Sequence, residues 1–97
     1  MVLTQLEAKV APEHWEVVKQ SFHDSMSHVP PIIYQTYLIQ DEADRELWRI
    51  ITVWHSHQAL QEYRASVETP AGVLLFRAVG AEPKVSVFDV IDHAHGE

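Results

Sequence analysis

The stretch VWHSHQALQEY, residues 53–63, marks a change from strand to helix. The residues before Ser56 are β-branched or aromatic, which is typical of a strand, whereas Leu60 and Tyr63 recur at helical spacing. Serine is a favoured helix N-cap, because its side-chain oxygen accepts a free N–H of the first turn. We therefore expect a strand that ends at about His55 and a helix that begins after Ser56.

The two histidines of this stretch, His55 and His57, raise the alternative of a metal site. In an extended strand, side chains two residues apart share a face, so two imidazoles can chelate one ion. A helix cap at Ser56 would turn His57 away from that geometry, and the glycines and second histidine motif of cupin metal sites are missing from the sequence. We expect the pair to be ordinary strand-end residues and expect no metal site.

Upstream, the sequence VLTQLEAKV, residues 2–10, alternates between apolar and polar positions and predicts a half-buried strand. From Pro12 to about His28 the period becomes helical, and Pro30 with Pro31 ends this helix because proline cannot continue it. The apolar stripe of the predicted helix consists of Trp15, Val18, Phe22, Met26 and Val29.

Two further strands follow, IIYQTYLIQ at residues 32–40 and LWRIITVWH at residues 47–55. The charged loop between them, residues 41–46, is short, so an antiparallel hairpin is the expected pairing. Both strands are apolar on both sides, which predicts a sheet covered on both faces.

Downstream, a further helix is predicted to begin at Thr69, its expected N-cap, with Pro70 at the first helical position. Gly80 is expected to end this helix, and KVSVFDVID, residues 84–92, reads as the last strand. The predicted buried side of the helix consists of Leu74, Leu75, Ala78 and Val79.

The element order is β-α-β-β-α-β, which predicts an α+β chain with a ferredoxin-like antiparallel sheet and helices on one face. The other face would expose many apolar side chains in a monomer, which favours a homodimer. We expect residues 1–92 to form the domain and residues 93–97 to be a flexible tail.

Composition narrows the function classes. The chain has 97 residues and a net charge of −7, and its seven basic residues are scattered, so neither a nucleic-acid surface nor a polybasic membrane surface is expected. It has no cysteine, which excludes disulfides and thiolate sites. No signal peptide and no apolar run of about 20 residues is visible, so a cytoplasmic protein is expected.

Residues of the opening stretch carry a family resemblance. In the antibiotic biosynthesis monooxygenase superfamily a strand commonly ends in Trp, followed by one residue, Ser, two residues, Ala-Leu and then an aromatic residue or His. The stretch EAKVAPEHWEVV, residues 7–18, also resembles the first strand-to-helix passage of this family. The resemblance implies a dimeric α+β barrel, in which two sheets pack face to face with the helices outside. The matching residues are Trp54, Ser56, Ala59, Leu60 and Tyr63.

The resemblance also implies candidate functions. The superfamily includes cofactor-free oxygenases of polycyclic phenols, quinol oxygenases and heme-degrading enzymes. The heme-degrading members use Asn, Trp and His, but this chain has no Asn, and Tyr63 and Val73 stand where their Trp and His would be. We expect a cofactor-independent monooxygenase of an aromatic phenol or quinol. The alternative is a non-enzymatic, dimeric small-molecule-binding or stress-related domain.

The candidate site residues follow from the same reasoning. Aromatic side chains between helices and sheet can stack on a flat ligand, or can simply fill the core. The oxygenase hypothesis predicts a cavity there, whereas the non-enzymatic alternative predicts a filled interior. The expected catalytic residues are Tyr63, Trp54 and His23, and the expected substrate-binding residues are Trp15, Phe22, Tyr34 and Arg77.

Overall fold

The structure, a computed structural model, describes residues 1–96 and has the predicted β-α-β-β-α-β order, with the second helical region divided in two. Short 3-10 turns extend the first helix at both ends, from Pro12 to His28, as predicted. The elements are β1 (Val2–Lys9), α1 (Trp15–Ser25), β2 (Ile33–Gln40), β3 (Leu47–Trp54), α2 (His57–Ser66), α3 (Ala71–Arg77) and β4 (Lys84–Asp89).

The four strands form one antiparallel sheet in the order β2-β3-β1-β4. The β2–β3 hairpin is confirmed, and its loop is held by Asp41, whose carboxylate accepts the backbone N–H groups of Ala43 and Asp44 at 2.9 and 2.8 Å. Because directly opposed residues point to the same side of a sheet, the register defines two faces. We call them the helix face and the open face.

The helix face carries the core, which consists of two apolar clusters. The larger cluster surrounds Phe76 and Val18, both fully buried. The smaller cluster contains Val2, Trp54 and Leu60. Burial of this apolar surface is the main stabilising contribution to the fold.

The open face carries apolar side chains beside polar and charged ones, such as Glu7 opposite Arg49, and no helix among residues 1–96 covers it. Leu3 lies opposite Val53 on one neighbouring strand and Phe88 on the other, and Phe88 is 49% exposed. Tyr37 lies opposite Ile51 on the same face. Exposed apolar residues are thus present on the second face as expected, but they lie beside charged residues, and homodimerisation through this face remains a prediction.

The predicted N-caps of the two helices after β3, Ser56 and Thr69, have different outcomes. At α2 the prediction is confirmed, because Ser56 Oγ accepts the N–H of Ala59 at 3.0 Å. At α3 the prediction is wrong: the chain is capped at Pro70, and Thr69 makes no capping hydrogen bond. The hydroxyl of Tyr63 accepts the N–H of Ala71 at 3.0 Å instead.

The buried side of α3 also differs from the prediction. Leu75 is buried as expected, but Leu74 is 54% exposed and Ala78 is exposed. Val73 and Phe76 are buried in their place. The physical reason is that a run of consecutive apolar residues has no polar positions to define its phase, so sheet packing decides which side turns inward. Gly80, with a φ of 76°, ends the helix as predicted.

The chain ends without regular structure after β4, although the N–H of Val90 still bonds the carbonyl of Met1 at 3.1 Å. The flexibility expected of residues 93–97 stays a prediction, and Glu97 lies outside the described residues. Within residues 1–96, no helix has both the length and the apolar character needed to cross a membrane.

Candidate ligand cavity

A cavity of about 440 Å³ lies between the helices and the helix face of the sheet. This volume is within the range typical of small-molecule sites. Strand residues form its floor, and its walls come from α1, α2 and α3 with their connecting segments. The filled interior predicted by the non-enzymatic alternative is therefore not observed.

The cavity lies over a row of three threonines, which we call the threonine row: Thr4, Thr52 and Thr36. Thr52 lies opposite both Thr4 and Thr36 in the sheet register. The row separates the two apolar clusters, since on β3 the residue Ile50 belongs to the larger cluster and Trp54 to the smaller one. Threonine side chains are short, so the space above them stays open.

Two threonines of this row are largely removed from solvent, and Thr36 is half-buried. Thr4 and Thr52 are 9% and 8% exposed. The Oγ1 atoms of Thr36 and Thr52 are 3.0 Å apart and share a hydrogen bond, and Thr4 Oγ1 accepts the indole N–H of Trp54 at 3.0 Å. The cavity thus has a polar floor between apolar walls.

Sequence reasoning missed the threonine row, although a signal was present. Thr4 falls on the apolar side of its alternating strand, between Val2 and Leu6, and Thr52 falls between Ile50 and Trp54 in the same way. A polar residue at a position expected to be buried usually has a hydrogen-bond partner. Only the register shows that these positions are neighbours.

Trp54 and Tyr63 form one wall of the cavity. Their ring centroids are 5.1 Å apart with an interplanar angle of 44°, which is within the range of favourable aromatic pairs. The indole is fixed by Thr4 and the phenol by the N–H of Ala71. The hydroxyl hydrogen of Tyr63 has no acceptor among residues 1–96, so it can be donated to a ligand.

Another part of the cavity lining depends on a close approach between α3 and β1. A Cβ atom placed on Gly72 would lie 2.5 Å from Leu6 Cδ1, and both residues line the cavity. Glycine therefore allows the helix backbone to contact the strand side chain without displacing it.

The charged residues that line the cavity lie at its exposed rim. Arg77 Nη2 and Nε contact the carboxylate of Glu82 at 2.9 and 3.0 Å. This bond with Arg77 holds the pKa of the Glu82 carboxyl below its usual range, and the same bond raises the pKa of Arg77. Arg64 and Glu68 are also exposed lining residues. Both signs of charge therefore occur at the rim.

Four of the seven residues predicted from sequence line this cavity: Trp54, Tyr63, Phe22 and Arg77. Their common surroundings are consistent with a shared binding role, which remains a prediction.

The other three predicted site residues lie outside the cavity lining. His23 is exposed on α1. Trp15 packs against Trp48 with ring centroids 6.0 Å apart and donates its indole N–H to the carbonyl of Val10. Tyr34 is 47% exposed and contacts the ring of His55. The structure does not bring these three together with Trp54 and Tyr63.

The histidines of the opening stretch are both exposed at the bend between β3 and α2. The cap at Ser56 lies between them. In the described part of the chain, no group of three or more His, Cys, Asp or Glu residues is placed to hold a metal ion.

Comparison with known proteins yields likenesses of structure alone. No protein-family model matches the sequence, and no curated protein matches it. A protein from Deinococcus radiodurans named as an antibiotic biosynthesis monooxygenase superposes with a TM-score of 0.76 at 11% identity, covering 100% of this chain and 99% of that one.

Two further solved structures are similar over almost their whole length. A second antibiotic biosynthesis monooxygenase has a TM-score of 0.70 at 16% identity, covering 95% of this chain and 100% of that one. A variant of MhuD, crystallised with two manganese protoporphyrin IX molecules per active site, has a TM-score of 0.71 at 16% identity, covering 99% and 100%. The chain therefore has the α+β fold of the antibiotic biosynthesis monooxygenase superfamily, as its strand-to-helix motif predicts.

Proposed function

We propose that this chain is a small monooxygenase that oxidises an aromatic phenol or quinol in the cavity without a bound cofactor. The observation that carries the proposal is the cavity itself, an apolar space with the Trp54–Tyr63 pair on one wall and the threonine row as its floor. Flat aromatic ligands suit such a space, because ring stacking and a few placed polar groups determine their orientation.

The reaction balances with the substrate as the only electron donor. In an anthrone, the ring CH₂ group becomes C=O and loses four electrons to one O₂ molecule. One oxygen atom enters the product, and the other leaves as water with the two hydrogens of the same carbon. The protein has to bind the phenolic tautomer of the anthrone, stabilise the negative charge that develops on the phenolic oxygen and exclude bulk water.

Tyr63 is the residue best placed for charge stabilisation. Its hydroxyl accepts from the Ala71 N–H and keeps its own hydrogen for a ligand oxygen. Trp54 and Phe22 supply apolar surface for the ring. Preorganised donors of this kind contribute most when they already point at the atom that gains charge.

We further propose that the active form is a homodimer that pairs the open faces of two sheets. Support comes from the exposed apolar residues of that face, including Tyr37, Ile39 and Phe88 at 42–49% exposure. A chain of 97 residues buries a limited fraction of its own surface, so a partner would add substantially to its stability.

Oxygen consumption with a panel of anthrones and hydroquinones tests the proposal. We expect wild-type turnover and a loss of about 100-fold in a Trp54→Phe, Tyr63→Phe double variant, since removal of a placed donor commonly costs that much. Tyr34→Phe is the matched control, because Tyr34 is exposed outside the cavity. Equal oxygen uptake by wild type and double variant would contradict the proposal.

A second candidate is a non-enzymatic small-molecule-binding domain on the same fold. Two observations favour it. Within residues 1–96, no histidine lines the cavity, and Arg77 is paired with Glu82. Ligand binding that raises the melting temperature, with no oxygen uptake for any probe, would support this function over catalysis.

A further inference from the structure

We infer that the threonine row selects neutral aromatic ligands that carry two oxygens on neighbouring positions of one edge, such as a catechol or a peri-dihydroxy ring system. The inference deepens the proposed function and rests on its assumption that the cavity binds an aromatic ligand. It concerns recognition, so binding can test it separately from turnover.

The first support is placement. Thr36, Thr52 and Thr4 occupy one register level on three adjacent strands, and neighbouring strands are about 4.8 Å apart. All three residues line the cavity. A planar ligand whose edge meets this floor therefore contacts more than one hydroxyl at once.

The second support is hydrogen-bond capacity. A threonine hydroxyl has one hydrogen to donate and two lone pairs to accept with. The Thr36–Thr52 bond uses one of their two hydrogens. The Trp54 indole uses one lone pair of Thr4 and leaves its hydrogen unused. Among residues 1–96, no acceptor for the two remaining hydrogens is present, so the row can donate to two ligand oxygens.

The third support is that the Thr52 hydroxyl is not required for packing, whereas the Thr4 hydroxyl also accepts the Trp54 indole N–H. Valine has nearly the same shape as threonine, and both residues favour strands. Valine at Thr52 would also join the two apolar clusters, which lie on either side of the row. The buried Thr52 hydroxyl therefore contributes recognition and not shape.

The charges favour a neutral ligand. Arg77 and Glu82 neutralise each other at the rim, and the exposed Arg64 and Glu68 carry opposite charges. The floor itself contains no charged residue, so an anionic group there would lack a compensating charge.

Calorimetry under nitrogen tests the inference, because exclusion of oxygen separates binding from turnover. The probes are 1,8-dihydroxynaphthalene, 1-naphthol and naphthalene. We expect the diol to bind wild type about tenfold more tightly than 1-naphthol, the factor that one added neutral hydrogen bond typically contributes. Thr52→Val should abolish this preference, because the remaining donors Thr36 and Thr4 lie on strands that are not neighbours, while naphthalene affinity stays unchanged.

Controls keep the outcomes separable. Ser27→Ala removes an exposed hydroxyl outside the cavity lining and should retain the diol preference. If circular dichroism shows that Thr52→Val is unfolded, Thr4→Val, which removes the other unused hydrogen, replaces it. Equal wild-type affinity for diol and 1-naphthol, absence of binding by all probes, or an unchanged preference in the folded variant would overturn the inference. The diol preference could be lost in Thr52→Val while the separate oxygen-consumption assay of the wild type shows no uptake. That result would support the inference and contradict the proposed catalysis.

Discussion

The two faces of the sheet are built from the same strands but have different roles. On the helix face, Trp54 and Ile50 are 4% and 5% exposed, and the helices cover them. On the open face, Ile51 and Val53 from the same strand remain partly exposed. The alternation of a strand therefore determines which residues share a face, whereas burial depends on what packs against that face.

The largest expected effect is the difference between substitutions of two phenylalanines, one on the helix face and one on the open face. Phe76, on α3, is fully buried in the core on the helix face, and Phe88 is 49% exposed on the open face. We expect Phe76→Ala to lower the free energy of unfolding by about 3–5 kcal/mol, since it leaves a large cavity. That is most of the stability of a small domain.

Phe88→Ala is the matched control in urea unfolding monitored by tryptophan fluorescence. At protein concentrations low enough for a monomer, Phe88→Ala should lower the free energy of unfolding far less than Phe76→Ala does. Equal costs for the two variants would show that the faces do not differ in this way.

The second effect concerns the proposed pairing of two open faces in a homodimer. Ile51→Lys places a charge on that face, and we expect it to weaken the proposed homodimer by about 2 kcal/mol or more, the scale of an interface hot spot. Sedimentation at micromolar concentration measures the effect. Val17→Lys is the control, because Val17 is 50% exposed on α1. A wild-type chain that sediments as a single 11.1 kDa species would exclude the dimer.

The third effect tests the wall of the cavity on the helix face. In Gly72→Ala, the new methyl group would meet Leu6, and overpacking of this kind costs about 1–3 kcal/mol. We expect lower stability and weaker binding of the aromatic probes, since both residues line the cavity. The double variant with Leu6→Ala should recover binding in calorimetry; binding that is unchanged in the single variant would contradict this geometry.

The smallest effect is a pH dependence at the β2–β3 loop beside the open face. The backbone N–H groups of Asp44 and Ala43, and then Arg49, lower the pKa of Asp41 below 3.8. The unfolded chain therefore binds this proton more readily than the folded chain. The stabilisation is complete above pH 3.8 and is lost as pH falls through the folded pKa.

Asp41→Asn isolates this contribution. Urea midpoints should show a small destabilisation of the variant at about pH 6, and this difference should shrink as pH falls below 3.8, because the wild-type carboxyl also becomes protonated there. A destabilisation of the same size at both pH values would assign the effect to packing and not to charge.

Local interactions explain which parts of the fold could be predicted. Ser56 caps α2 through an N–H only three residues along the chain, so the sequence alone indicates that contact. The alternation of β1 and the helical period of α1 are also local patterns, and both elements are confirmed. These patterns were sufficient for the α+β order and the antiparallel hairpin.

The candidate site was predictable only in part, because its geometry depends on distant residues. Trp54 and Tyr63 were found through a local motif, and the structure brings their rings together. Trp15 could not be separated from a ligand-binding aromatic by sequence, since its role follows from contact with Trp48. The cap of α3 was missed because Tyr63, eight residues from Ala71, replaces the expected Thr69.

The sequence by itself determined the elements, their order and the apolar residues on both sides of β2 and β3, because these depend on spacing along the chain. Tertiary structure alone decided the cavity and its threonine row. Thr4, Thr36 and Thr52 are far apart in sequence and become neighbours only when β1 and β2 pair with β3 in one register. Strand register results from packing of whole faces, and no local pattern contains it.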